Sequence, residues 1–214
     1  MDDCYLRVAS LDVDATNCFT DACPDELPVP GGSEIAAELN KQAEYALFRV
    51  CSKDAHPSNA IWRATKKHPQ LSKIKGQNVD LRWNMHSVPG TKGFELIPGL
   101  PDIINYHFII YKGLERGIHP YGACYHDLNG RISTGLIEFL ECRGVNTVII
   151  GGLATEYCVK TTAIQLRNAG FHVVVNLAAC RGLDPQKIKK AVKEMKERGI
   201  VIVRNSKQIP KVLS

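Results

Sequence analysis

An alternation along the chain limits its possible folds more than any other feature. Short runs rich in β-branched and aromatic residues recur at Tyr5–Leu11, Ala46–Cys51, His107–Tyr111, Thr147–Ile150, His172–Val175 and Ile200–Val203. Most of the intervals between them carry helical patterns. Ser33–Tyr45 is rich in Ala, Glu and Leu, Ser133–Arg143 ends at Gly144, and Glu156–Asn168 ends before Gly170. Asp184 offers an N-cap with Pro185 at the first helical position, and that helix stops at Gly199. Strands alternating with helices through short connections form right-handed βαβ units. The expected fold is α/β, a mainly parallel central sheet of about six strands with helices on both faces. A length of 214 residues suits one domain of the larger kind, spanning 1–214.

The alternation breaks over 52–106, where Pro57, Pro69, Pro89, Pro98 and Pro101 fall. That stretch is too long for a bare loop and reads as an ordered insertion with short helices and a functional role.

Composition removes several classes of function. No apolar run approaches the ~20 residues of a membrane helix, so no membrane partner is expected. The opening, MDDCYLRVASLDVD, is acidic and turns strand-like at once, unlike a secretory leader, and a cytoplasmic location is the default expectation. The net charge of +5 gathers near the C-terminus, from Lys187 to Lys211, with Glu194 and Glu197 interleaved. This reads as a solvated helix face, and no nucleic acid is expected there. Of the eight cysteines no two form a CxxC pair, which argues against a disulfide scaffold or a zinc ribbon.

In an open α/β sheet, ligands bind beyond the carboxyl ends of the strands. Asp14, Asp54, Lys112 and the segment Thr155–Cys158 all fall there. With Thr155 as helix cap, Cys158 is the third helical residue, where free N–H groups favour an anion. Lys112 nearby would lower the thiol pKa further, Asp14 would take its proton, and the amides of Ala154 and Cys158 would form an oxyanion hole. The bland alternative is a small buried cysteine filling space, and position alone leaves the two about even. Asp54-Ala55-His56 sets an acid and an imidazole two residues apart, able to grip one ion in extended backbone, and His86 offers a third ligand. A lone DxH is a weak signal. His107 and His172 sit in strand-like runs as structural residues, whereas His68, His119 and His126 lie in polar segments compatible with exposure.

These residues fall within motifs that carry a resemblance. "DATNCF" (14–19), "LPVPGG" (27–32), "SKDAHP" (52–57), "RWNMHSVPGTKGFELIPGL" (82–100), "YKG" (111–113), "STGL" (133–136) and "GGLATEYCVKTTA" (151–163) occur in order and with fitting spacing. Together they resemble the nicotinamidase/pyrazinamidase branch of the isochorismatase-like cysteine hydrolases over nearly the whole chain. The resemblance implies a catalytic Asp14, Lys112 and Cys158, with Asp14 rather than Asp12 as the family's aspartate. It implies metal ligands Asp54, His56 and His86 for one divalent ion, Zn²⁺ foremost with Fe²⁺ or Mn²⁺ as alternatives. Phe19 and Trp83 correspond to aromatics that hold the pyridine ring, and Tyr121 is a weaker assignment as a substrate contact. A cis peptide is implied between Ala154 and Thr155. The expected activity is hydrolysis of nicotinamide to nicotinate and ammonia, and of pyrazinamide, through a cysteine thioester, by an enzyme that can form homo-oligomers. The alternatives are an amidohydrolase of the same fold acting on another small carboxamide, and a non-enzymatic regulatory module. The chain departs from the pattern at Cys18, Ala55, Ala60 and Ser87. Ala60 stands where many members have a further histidine, which implies a three-ligand site completed by water.

Overall fold

A computed structural model describes residues 6–213. It contains one six-stranded sheet in the order β3-β2-β1-β4-β5-β6, every neighbouring pair parallel. The strands are β1 (Val8–Val13), β2 (Phe48–Asp54), β3 (Phe108–Lys112), β4 (Thr147–Leu153), β5 (His172–Arg181) and β6 (Val201–Val203). The helices are α1 (Ala36–Ala43), α2 (Leu136–Cys142), α3 (Lys160–Asn168), α4 (Pro185–Glu197) and a terminal turn, α5 (Pro210–Leu213). The expected α/β class, strand number and parallel pairing all appear. Tyr5, where the first strand was expected to start, lies outside the described residues.

Parity along the strands explains the two covered faces. Ala9, Leu11 and Val13 of β1, Val148 and Ile150 of β4, and Val173 and Val175 of β5 share one core with Leu140 of α2, Leu166 of α3 and Met195 of α4. The alternate residues Val8, Ile149 and Val174 pack on the other face with Val203 and Ile209. All seven residues of β4 are buried, as a central parallel strand covered on both faces must be. α1 lies on that second face, where Gln42 Nε2 donates to Ser10 Oγ at 3.1 Å. α4 begins as expected, with the Asp184 carboxylate accepting from the amides of Gln186 and Lys187. Its lysines point outward, and Lys193 pairs with Glu197 at 3.7 Å, as a solvated face requires.

Asp12 occupies the second face as well, and it is structural. It is fully buried and receives Arg49 Nε at 2.9 Å and the Tyr106 hydroxyl at 2.8 Å. Burial pushes its carboxyl above the usual range, against the pull of Arg49. Replacing Arg49 with methionine is expected to cost about 3 kcal/mol of stability at about pH 8, because an uncompensated buried charge remains. A carboxyl whose folded pKa exceeds its unfolded value binds its proton more tightly when folded, so it stabilises at low pH and loses that contribution as pH rises. The deficit relative to wild type should therefore shrink at about pH 5, and urea denaturation of both proteins at the two pH values checks it.

The strand order reverses direction between β1 and β4. The crevice outside their carboxyl ends is the topological switch point, where ligands bind in open α/β sheets. The segment between β2 and β3 closes over that edge with two single-turn 3₁₀ helices, Lys92–Phe94 and Ile103–Asn105. From this segment Ala60, Trp62 and Trp83 pack in one buried cluster with Phe19, Leu153 and Ala154.

Candidate active site

The ends of four adjacent strands supply the polar residues. Asp14 follows β1 with φ 49°, in the left-handed region that aspartate tolerates better than most residues. Its N–H donates to Ser52 O at 3.0 Å. Asp54 and Lys112 are the last residues of β2 and β3 and stand opposite one another in register. β4 ends beside β1 through Gly152, where a Cβ would fall 2.0 Å from Val13 O. Any side chain there would push the following turn, with Cys158, away from Asp14.

The Lys112 ammonium is the hub. It is 0% exposed, stands 2.9 Å from Asp14 Oδ2, pairs with Asp54 Oδ1 and lies 3.7 Å from Cys158 Sγ. Oxygens of Asp14 and Asp54 and the Cys158 sulfur all lie within 4.8 Å of one another. Ser52 Oγ donates to the other Asp14 oxygen at 2.7 Å. Burial disfavours the lysine charge, yet Asp14, Asp54 and Cys158 together hold its pKa well above the ordinary value. Burial raises the Asp14 carboxyl despite Lys112. The Lys112 cation holds Asp54 well below the carboxylate range in spite of burial, with help from His56.

Three expectations about Cys158 change. Thr155 does not cap a helix; its Oγ1 donates to Arg181 O at 2.9 Å, and Ala154 occupies the cap. The residues Thr155–Val159 form a π-helical turn ahead of α3, so Cys158 is the fourth residue of the turn. The cis peptide joins Leu153 to Ala154, one bond earlier than expected. The thiol pKa is raised well above normal, because burial and the two carboxylates outweigh Lys112. At rest the sulfur therefore keeps its proton beside a carboxylate poised to take it.

The two histidines of the expected metal set converge on Asp54. His56 Nε2 lies 3.6 Å from Asp54 Oδ1 and His86 Nε2 lies 3.6 Å from Oδ2, beyond good hydrogen-bond length. His56 Nδ1 faces Gly113 O at 3.2 Å and His86 Nδ1 faces Asn84 O at 2.7 Å. A backbone carbonyl at Nδ1 fixes the tautomer in which Nε2 carries the free lone pair, as in metal sites. His56 Nε2 is buried without a hydrogen-bond partner. Gly113 makes this packing possible, since a Cβ there would lie 2.4 Å from the His56 ring. An orphaned imidazole nitrogen, a second one oriented alike and a carboxylate between them fit a divalent cation. The cluster can therefore hold one.

Beside these groups lies a small, mostly apolar cavity. Phe19, Trp83, Tyr121, Cys158, Ala154, Asp54 and His86, all singled out from sequence, line it. Tyr121 is tied in by its hydroxyl, which accepts from Trp83 Nε1 at 3.3 Å and donates to Asp80 at 2.8 Å. Sequence reasoning missed Tyr157, Leu183 and His119, which also line the cavity. Tyr157 sits inside the "GGLATEYC" motif and meets Trp83 edge-on at 5.0 Å, so motif membership was an available signal. His119 is buried rather than exposed. Ala60 is a buried apolar residue and offers no donor.

Comparison with known proteins places this arrangement. The isochorismatase domain model matches residues 13–207. A nicotinamidase of Acinetobacter baylyi is 34% identical over 192 residues, covering 88% of either chain. Among solved structures, a nicotinamidase/pyrazinamidase of Acinetobacter baumanii superposes with TM-score 0.87 at 29% identity, over 95% of this chain and 98% of that one. The pyrazinamidase of Pyrococcus horikoshii, solved in complex with zinc, superposes with TM-score 0.74 at 31% identity, over 92% and 98%. With the sheet order, the Asp–Lys–Cys hub and the histidine cluster in place, the chain belongs to the isochorismatase family, in its nicotinamidase/pyrazinamidase branch.

Proposed function

We propose that the protein is a nicotinamidase, hydrolysing nicotinamide to nicotinate and ammonia and accepting pyrazinamide as well. One observation carries the reading. Cys158, backed by Lys112 and Asp14, opens onto a small aromatic cavity that Asp54 and His86 also line. A flat heteroaromatic ring suits Phe19 and Trp83, and its carboxamide then meets the sulfur.

In this reading Asp14 takes the Cys158 proton and the thiolate attacks the carboxamide carbon. The amides of Ala154 and Cys158 hold the oxyanion. Asp14 returns the proton to the departing nitrogen, ammonia leaves, and a thioester remains on Sγ. Asp14 then takes a proton from water, whose oxygen attacks the thioester carbon; the C–S bond breaks, the acid leaves and Asp14 returns the proton to the Cys158 thiolate. Lys112 keeps Asp14 in place and offsets charge throughout. The raised Asp14 pKa suits a residue that must both accept and return a proton.

Asp54, His56 and His86 hold the metal, with zinc the first choice for an imidazole-rich set and Fe²⁺ or Mn²⁺ as alternatives. When bound, the ion supplies a Lewis-acid point on the cavity wall for the ring nitrogen. The whole of 1–214 acts as one domain, a view supported by the packing of Trp62 and Trp83 from the 52–106 segment against Phe19 and Ala154. A cytoplasmic setting agrees with the free cysteines among the described residues.

Ammonia release from nicotinamide by the purified protein is the direct test. Removing metal with a chelator should lower the rate at least about ten-fold, with zinc restoring it. A rate that chelation leaves unchanged would contradict the metal's part.

A further inference from the structure

His119 has no task in the reaction as described so far. The residue is 3% exposed, and neither ring nitrogen has a hydrogen-bond partner. Buried polar atoms are almost always paired, and one imidazole with both nitrogens unanswered calls for a ligand. The geometry supplies a candidate. One ligand nitrogen each from His56, His86 and His119 lie within 4.8 Å of one another. Ring centroids are 4.7 Å apart for His56 and His86, 4.9 Å for His56 and His119, and 5.7 Å for His86 and His119. Imidazoles sharing an ion at about 2.0–2.1 Å hold their centroids roughly 4.5–5.2 Å apart, for angles at the ion of about 90–109°. Two of the three separations fall in that window and the third lies half an ångström outside it. The His56 and His119 rings are nearly parallel, at 16°, which one shared ion satisfies only with the two rings close to coplanar.

The scaffold fixes this histidine from both sides. The Trp62 indole N–H donates to Ile118 O at 2.9 Å, and the His119 amide donates to Asn78 O at 2.9 Å. The Trp62 ring stands edge-on to His56 at 4.6 Å and to His119 at 4.5 Å. One buried tryptophan thus sets the position of two imidazoles.

We propose that His119 is a fourth protein ligand of the divalent metal, joining Asp54, His56 and His86 and replacing a water of the three-ligand site. The inference rests on the metal reading given above. Four protein donors leave room for a substrate nitrogen only in five- or six-fold coordination, which favours an ion that accepts it. The competing role is a cavity wall, because the His119 ring also lies parallel to Trp83 at 5.8 Å and 12°.

The test compares wild type, His119→Ala, His119→Phe and His56→Ala after metal removal. Each is titrated with Zn²⁺ against a chromophoric chelator and loaded with Co²⁺ for its visible spectrum. Phenylalanine keeps a ring against Trp83 and lacks the nitrogen, so near-UV circular dichroism should report a folded protein. If His119 is a ligand, both His119 variants bind Zn²⁺ at least about ten-fold more weakly and shift the Co²⁺ bands. Wild-type affinity and an unchanged spectrum in both variants, with His56→Ala impaired, overturn the inference and leave the three-ligand metal site standing. Absence of stoichiometric metal binding by wild type overturns the metal reading itself and this inference with it.

Discussion

Replacing Cys158 with alanine is expected to lower nicotinamide hydrolysis by at least about 10⁴-fold, because the covalent route is lost whole. Nicotinate affinity should change little. The Cys158 side chain forms only part of a wall to which Phe19, Trp83, Tyr121, Tyr157 and Leu183 also contribute. Steady-state ammonia assays and calorimetric titration with nicotinate separate the two effects. A variant keeping a tenth of the wild-type rate would remove Cys158 as nucleophile. The raised thiol pKa adds a finer expectation, since the resting sulfur is protonated and a general alkylating reagent should label it slowly near neutrality.

Lys112→Met should produce the largest loss of stability of any change at the site, about 3–5 kcal/mol, together with loss of activity. Methionine fills similar space but leaves Asp14 and Asp54, 0% and 1% exposed, with no cation between them. One carboxyl must then take up a proton or the fold must relax. Adding Asp14→Asn to this variant removes one of the two charges and should recover part of the stability while leaving activity absent. Urea unfolding of the two single variants and the double variant measures the coupling. Strict additivity would show that the buried charges act independently, contrary to the 2.9 Å pairing of Lys112 with Asp14.

Much of this architecture was legible because hydrophobic patterning and topology are coupled. The runs that became the central strands β4 and β5 are apolar on both faces, as a covered parallel sheet requires, and that sheet in turn brings its strand ends to one edge. Asp14, Asp54 and Lys112 followed from that alone. Strand ends proved harder. β2 runs to Asp54 instead of Cys51, and β4 and β5 continue to Leu153 and Arg181. The extra residues include Gly151, Gly152 and Asn176, whose weak intrinsic strand preference is overridden by burial between neighbours.

The site was less legible where a residue's role depends on what packs around it. The thiol pKa of Cys158 was expected to fall from its neighbour Lys112, but burial dominates, and burial is a property of the assembled cavity. His119 lies in an aperiodic segment between β3 and α2, where no pattern distinguishes an exposed imidazole from one held by Trp62 and Asn78. Tyr121, from the same segment, lies against Trp83 on the cavity wall, a contact that no pattern in the sequence specified.

The central claim is that Cys158 bonds to the carbonyl carbon of a pyridine carboxamide. Rapid acid quench of the enzyme during turnover of nicotinamide, followed by peptide mass mapping, addresses it directly. The account predicts a nicotinoyl group on the peptide carrying Cys158, accumulating before steady state and absent from Cys158→Ala. Steady turnover with no acyl adduct at any quench time, or an adduct on a different residue, would contradict it.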